Sequence, residues 1–401
     1  MSSWYLHSRR YPNLQDWRRI NIAITVHNGA LGNLHSTKLV CKWLKIGLLN
    51  LCLLFLFLHL MGKYRSINLR AENVREETDS NFILAKRNFV QLPSNIQLSR
   101  MSIPRHFLLP SANTPTDLYN LYNEVPETHN SDIECILTKT TPKFPICVYE
   151  SDEDKFISAA LRSGGFWEPH ITDVYQRALA AVPDAFVIDI GANIGYYTLL
   201  AIKMGHMVIA VEPYWESVRR FHKSIHLNNC TSQVLLAVNA VSDMHENVTF
   251  IDNVDNQGGV SVRQLDAIDR EILSKGHPLP TARTIFIDDI LDLTDTPVAI
   301  IKLDIEGYEC KAMGKATTFL DTVYVPYIFM EWKKMFVDQL KPDSPCPTKS
   351  LQRLCQLLTS RGYAPYEVRT HIKLNPERST KIWRVGDIYW RHKSAKVLFP
   401  P

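Results

Sequence analysis

Five acids in this chain stand where apolar runs end. Asp189 lies one residue before the end of "AFVIDI", Glu212 closes "MVIAVE", Asp304 and Glu306 follow "VAIIKL", and Glu331 closes "YIFME". Acids at the ends of parallel strands gather on one rim, the ligand-binding edge of an open α/β sheet. A carboxylate there can take two ribose hydroxyls, or accept a proton from a hydroxyl within hydrogen-bond reach. It can equally bind sugar hydroxyls or, in pairs, a hard divalent cation such as Mg²⁺ or Mn²⁺. The plainer alternative is structural: Asp189 caps its turn, Glu212 starts a helix, Asp304 and Glu306 cap another, and Glu309 faces solvent.

The turn after the first strand narrows the ligand. It reads Asp189-Ile190-Gly191-Ala192-Asn193-Ile194-Gly195. Gly191 permits a sharp turn at the strand end, and Gly195 lets the next helix pack close to strand and ligand. A dinucleotide cradle needs GxGxxG, and Ala192-Asn193 stand where its second glycine belongs. No GKS or GKT follows, which removes a phosphate-binding P-loop. What remains is a glycine turn, Asn193 within it, and two carboxylates. Glu212 suits a ribose and Asp189 a cationic amino-acid group, a pair that fits S-adenosylmethionine better than a dinucleotide. Asp243, closing "LLAVNAVSD" on the same rim, is expected, itself or through its backbone, near the adenine; a solvent-facing loop acid is the alternative.

A sheet must hold these acids. Residues 185–190, 207–213 and 298–303 are near-continuous apolar runs, the pattern of parallel strands buried on both faces. The stretches 191–205 and 215–228 read as helices. Strand, helix, strand, helix predicts a parallel sheet with right-handed crossovers and helices on both faces. Residues 245–265 predict an antiparallel hairpin bent at Gly258-Gly259, an insertion suited to shaping an acceptor pocket. Further on, 284–287 and 324–332 read as strands and 308–320 as a helix. An amphipathic helix then ends at Gly362, and 381–392 reads as one or two short edge strands. Lys302, inside a buried strand, must pair with an acid or reach the rim, because burying a lone charge is costly.

Composition removes other classes. The net charge of +4 is spread along 401 residues, without the basic cluster and interleaved aromatics of a nucleic-acid footprint. The 8 cysteines form no CxxC pair, against a structural zinc site. Cys135 and Cys147 are close enough to pair in an oxidising compartment; reduced, buried thiols are the alternative.

The most apolar stretch is 46–62, "IGLLNLCLLFLFLHLMG", flanked by Lys42, Lys45, Lys63 and Arg65. It is at the short end of a membrane span. The heavier basic flank on its N-terminal side keeps the N-terminus cytoplasmic. The expected order is a cytoplasmic basic tail (1–45), one transmembrane signal-anchor helix (46–62), a stalk or peripheral wrap (63–140) and a catalytic domain (141–395). That is a single-pass type II membrane protein whose domain faces the lumen of the Golgi or endoplasmic reticulum. Asn229-Cys230-Thr231 and Asn247-Val248-Thr249 would then be glycosylation acceptors, making it a glycoprotein.

The run 187–213 together with "IIKLDIEGYE" (300–309) resembles the FkbM family of S-adenosylmethionine-dependent methyltransferases, and "IDDIL" and "FMEW" fit the same pattern. The resemblance covers residues 145–390. It implies an α/β, Rossmann-like seven-strand methyltransferase sheet with its last strand reversed. It also implies S-adenosyl-L-methionine as cofactor and methyl transfer, often to hydroxyls of sugars or natural products. By motif, Asp189, Gly191, Gly195 and Glu212 would hold the cofactor, and Asp304 and Glu306 match the signature acids. With Glu331 these two are the catalytic candidates. No metal ligands are assigned, and a divalent metal is left open. The expected activity is O-methylation of a glycan, glycoconjugate or small molecule. The competing expectation is a non-catalytic, membrane-anchored binding or scaffolding protein that keeps the fold. No nucleic-acid partner is expected, and the oligomeric state is not legible.

Overall fold

Runs of valine, isoleucine and leucine build the centre of the molecule. The computed structural model describes residues 107–108, 114–122, 132–251, 253 and 256–399, all within a unit spanning residues 75–401. The expected tail (1–45) and membrane helix (46–62) lie outside the described residues, as does most of 63–140. Among the described residues no helix is long and apolar enough to cross a membrane.

A short hairpin, β1 (Cys135–Leu137) and β2 (Pro145–Cys147), precedes α1 (Ile157–Gly164) and α2 (Pro169–Ala181). Then come β3 (Phe186–Ile190), α3 (Tyr196–Lys203), β4 (Val208–Val211), α4 (Trp215–Leu227) and β5 (Val234–Ala237). An insertion holds β6 (Ala240–Val241), β7 (Asn247–Ile251), β8 (Ser261–Gln264), α5 (Ala267–Ser274) and β9 (Thr281–Ile285). The chain returns through β10 (Ala299–Leu303), α6 (Glu309–Met313), α7 (Thr317–Thr322), β11 (Tyr327–Glu331), α8 (Lys333–Asp338) and α9 (Thr348–Ser360). It closes with β12 (Tyr363–Glu367) and β13 (Asp387–His392).

The main sheet has seven strands in the order β12-β13-β11-β10-β3-β4-β5. Only β13 runs against the others, antiparallel to both β11 and β12. Every residue of β3, β4 and β10 is buried, as a strand covered by helices on both faces requires. Alternation divides them between two cores. Ile188, Ile190, Ile301 and Leu303 pack with Phe319, Leu351 and Leu358 on one face. Val187, Ala210 and Ile300 pack with α2, α3 and α4 on the other. Asp189 and Lys302 are cross-strand partners in this register, so both side chains fall among the helices of the second face.

Some expected elements differ. Helix 308–320 is two helices, α6 and α7, separated by the turn at Gly314. The strand expected at 284–287 ends at Ile285, because the Phe286 amide is taken by Asp289 Oδ2 at 2.7 Å and the chain turns. Residues 363–367, given no strand by the sequence reading, form β12. Its Pro365 is tolerated because β12 is an edge. Of 381–392 only Asp387–His392 is strand.

Disulfides join Cys135 to Cys147 and Cys310 to Cys346. The first is the pair proposed from spacing. The second, across 36 residues, has no local signal. Cys230 and Cys355 are buried free thiols.

Two glycines set how closely the site can assemble. A Cβ on Gly191 (φ +81) would lie 1.8 Å from the Asp304 carbonyl oxygen, and one on Gly195 (φ +89) 2.2 Å from the Phe221 ring. A ring can rotate away; a backbone carbonyl at a strand end cannot. Gly195→Ala should cost about 2 kcal/mol and Gly191→Ala about 3 kcal/mol or more, read by denaturant unfolding. Equal losses would mean that the close approach at Gly191 does not limit the fold.

Candidate functional site

The C-terminal ends of the parallel strands open into one cavity of about 400 Å³. Of the residues singled out in the sequence, Gly191, Asn193, Glu212, Asp304, Glu306 and Glu331 line it. Asp189, Gly195 and Asp243 do not.

Glu212 organises one half. The amides of Gly191 and Ala192 donate to the Val211 carbonyl at 2.9 and 3.1 Å, folding the turn over the end of β4. The Asn193 amide donates to Glu212 Oε2 and the Tyr214 amide to Oε1, both at 2.8 Å. The carboxylate therefore joins the glycine turn to the start of α4, and each oxygen keeps a second lone pair for a ligand. Burial pushes Glu212 up to about 7, with the two amides opposing the shift.

Asp189 sits behind this cradle rather than in it. Its Oδ2 accepts from Thr198 Oγ1 at 2.6 Å, fastening α3 to the sheet. Its Oδ1 is buried without a hydrogen-bond partner. Burial raises its pKa, opposed by the Thr198 bond and by Lys302. The expectation that Asp189 faces a ligand thus gives way to a positioning role. Gly195 also acts from behind, by admitting Phe221. Asp243 is drawn away: its carboxylate lies 3.5 Å from Lys311 Nζ, while Asn239, Ala240 and Val241 form that part of the wall.

The hairpin β7–β8 reaches this half too. Asn193 Nδ2 donates to the Gly258 carbonyl, and Tyr214 Oη to Gln257 Oε1. The Gln257–Gly259 turn therefore roofs the glycine cradle, whereas the sequence reading assigned it to an acceptor pocket.

The other half is a cluster of acids around one lysine. Lys302 Nζ donates to Asp304 Oδ2 at 2.8 Å and lies 4.7 Å above the Tyr197 ring. Burial disfavours the Lys302 charge, but Asp304 and Glu168 outweigh it and its pKa is raised. Tyr197 Oη donates to Glu168 Oε2 at 2.9 Å. Burial, countered by Lys302, brings Glu168 to about 7. Glu306 (φ 57) is held by Lys334 Nζ at 2.7 Å. Glu309 is fully buried, not solvent-facing as expected. Its Oε1 accepts from the Ile305 and Gly307 amides at 2.9 and 3.3 Å, and its Oε2 is without a partner. Glu331 Oε2 is likewise orphaned. Burial and the charges of Asp304, Glu309 and Glu306 push Glu331 up to about 9.

Carboxylate oxygens of Asp304, Glu309 and Glu331 lie within 4.8 Å of one another. Such an all-oxygen set fits a hard divalent cation; burial raises the pKa of its two glutamates, Glu309 and Glu331.

Sequence reasoning missed Glu168, Asp387 and Arg369, which also line the cavity. Glu168 precedes Pro169 and reads as a helix cap. Asp387 opens β13, and a reversed strand presents its start, not its end, to this rim. Burial and Asp304 bring Asp387 to about 6, and His170 Nε2 lies 3.6 Å from it.

Residues 189–365 match the family model described as the methyltransferase FkbM domain. No curated protein matches the chain. Solved structures similar to it include an O-methyltransferase from Bacillus cereus in complex with SAH: 11% identity, 61% of this chain and 92% of that one, TM-score 0.35. Another is the O-methyltransferase TomG from Streptomyces achromogenes, in complex with SAM (10%, 55% and 79%, TM-score 0.30). A third is a SAM-dependent methyltransferase from Agrobacterium tumefaciens (9%, 65% and 70%, TM-score 0.32).

The raised carboxyls fix a pH response. A carboxyl with a folded pKa above its unfolded value near 4.3 makes stability fall as pH rises from that value through the folded one. With Glu212 and Glu309 at about 7 and Glu331 at about 9, the unliganded protein should lose stability steadily from about pH 5 to pH 9. Glu331→Gln removes the largest contribution. At about pH 8.5 it should melt higher than the parent by ~3 °C or more, and at about pH 5 close to it. A lower melting point at the higher pH would show that Glu331 is ionised there.

Proposed function

We propose, for a chain that carries a methyltransferase FkbM domain, that the rim cavity binds S-adenosyl-L-methionine and methylates a hydroxyl of a glycan, glycoconjugate or small molecule. One observation carries the reading. A tight glycine turn and Glu212, at the ends of adjacent parallel strands, open into the same cavity as Asp304 on the third. This fits a nucleoside at one end and a reacting hydroxyl at the other, without a phosphate cradle.

The cofactor supplies an activated methyl group bonded to sulfur. Glu212 keeps lone pairs for the two ribose hydroxyls, and these bonds favour its ionised form. Gly191 lets the turn approach the ligand, and Asn193 shapes the cradle beneath the Gly258 carbonyl. Asp189 and Gly195 hold α3 and α4 in place. Lys302 donates to Asp304 and aims it. Asp304 would accept the proton of an acceptor hydroxyl that takes the methyl group from the cofactor's sulfur. Glu306 and Glu331 hydrogen-bond the acceptor, Glu331 as a donor while protonated.

The apolar run 46–62 is proposed as a single membrane anchor that places this domain in the lumen of the Golgi or endoplasmic reticulum. Two disulfides support an oxidising compartment. Asn229 and Asn247, each opening a glycosylation triplet, are exposed. A lumenal site makes a glycan the favoured acceptor.

Calorimetry on the full-length chain in detergent tests the cradle. S-adenosylmethionine should bind with one-to-one stoichiometry, and Glu212→Ala should weaken it at least ~10-fold through the loss of charge-assisted bonds. Asp304→Asn should leave that affinity within about threefold and slow turnover by ~10²–10⁴. No binding to a cooperatively melting protein would remove the methyltransferase reading. Binding without turnover on any acceptor would favour the scaffold.

A further inference from the structure

The main sheet orders the cavity wall by strand. Glu212 follows β4, the glycine turn follows β3, Asp304 follows β10, Lys333 follows β11, and Arg369 follows β12. Neighbouring strands lie about 4.8 Å apart, so Lys333 and Arg369 sit roughly 5 and 15 Å beyond the Asp304 position, on the side away from Glu212. Both line the cavity and both are exposed. Their backbones are fixed. The Lys333 amide donates to the Gly386 carbonyl at 3.0 Å, and the Arg369 amide bonds the Glu367 carboxylate.

At this end two cations lie outside the ion pairs. Asp304 is paired with Lys302 and Glu306 with Lys334. Asp387 faces His170. Among the described residues, neither Lys333 nor Arg369 forms an ion pair. Two long cations outside any ion pair therefore line the acceptor half of the cavity, with the carboxylates of Glu367 and Asp387 near Arg369.

Resting on the methyltransferase reading, we infer that the acceptor is an acidic sugar whose carboxylate or sulfate ester is held by Lys333 and Arg369, with its reacting hydroxyl at Asp304. The carboxylate and the sulfate share the needed chemistry: a compact anion with several acceptor oxygens, which Arg369 can engage through paired donors. A neutral sugar would leave both cations unused.

The test titrates glucuronate, glucose 6-sulfate and glucose into the full-length chain at low salt, with ligand-observed NMR as readout. One charged sugar should bind at least ~10-fold tighter than glucose, and which one does so separates the two sources of the anion. Lys333→Ala with Arg369→Ala should abolish that preference, whereas Arg369→Lys should keep part of it. Affinity for S-adenosylmethionine, measured in parallel, should stay within about twofold in the double variant. Equal binding of all three sugars would overturn the inference, as would a charge preference that survives in the double variant. A cofactor affinity that falls with the double variant would also overturn it, by assigning these cations to the cofactor's own carboxylate. A parent chain that does not bind the cofactor but keeps the Lys333- and Arg369-dependent preference would remove the methyltransferase reading and leave the anion site standing.

Discussion

The structure turns on one ammonium group in a strand buried along its whole length. Lys302 cannot reach bulk water from β10, and a lone charge there would cost several kcal/mol. Three segments supply its counter-charges: Asp304 at the strand end, Asp189 across the register on β3, and Glu168 at the start of α2, which accepts from the Tyr197 hydroxyl. Because the lysine needs acids, the acids gather. Because they gather, those with no cation of their own hold protons. The acidic half of the cavity is thus one coupled electrostatic unit, and the burial that makes the sheet stable also sets the protonation of the site.

The cradle half works differently. It is mostly backbone: a glycine turn bonded to the end of β4, and Glu212 receiving two amides. Precision there comes from rigid elements and close approach rather than from charge. Asp189 belongs to this framework, although its place in the motif suggests a ligand contact. Its hydrogen bond to Thr198 holds the first turn of α3 against β3, and so fixes the turn that Glu212 completes.

The apolar runs made β3, β4, β10 and β11 legible, since a strand buried on both faces has little choice of residue. Gly191 and Gly195 were legible because left-handed backbone and near contact leave few alternatives. The misplaced residues depend on distant pairing. Asp243 follows β6 rather than β5. The Ser242 amide joins the Ile285 carbonyl, carrying the chain onto the second sheet and Asp243 towards Lys311. Glu309 reads as a helix-face residue until the chain folds under it and its carboxylate caps the 305–307 turn. Asp387 reaches the rim only because β13 runs backwards beside β11, and Arg369 because β12 pairs beyond it, an arrangement that their own neighbours in sequence do not announce.

That reversed strand also divides the labour of the chain. The FkbM match spans 189–365 and holds the cradle, Lys302 and the acids from Asp304 to Glu331. The far wall is drawn from outside it on both sides: Trp167, Glu168 and His170 before, Arg369, Gly386 and Asp387 after. The cavity is therefore walled by separate stretches of sequence that meet only in space. Substitutions in the two flanks can reshape the far wall of the cavity while the cradle and the acids between them stay as they are.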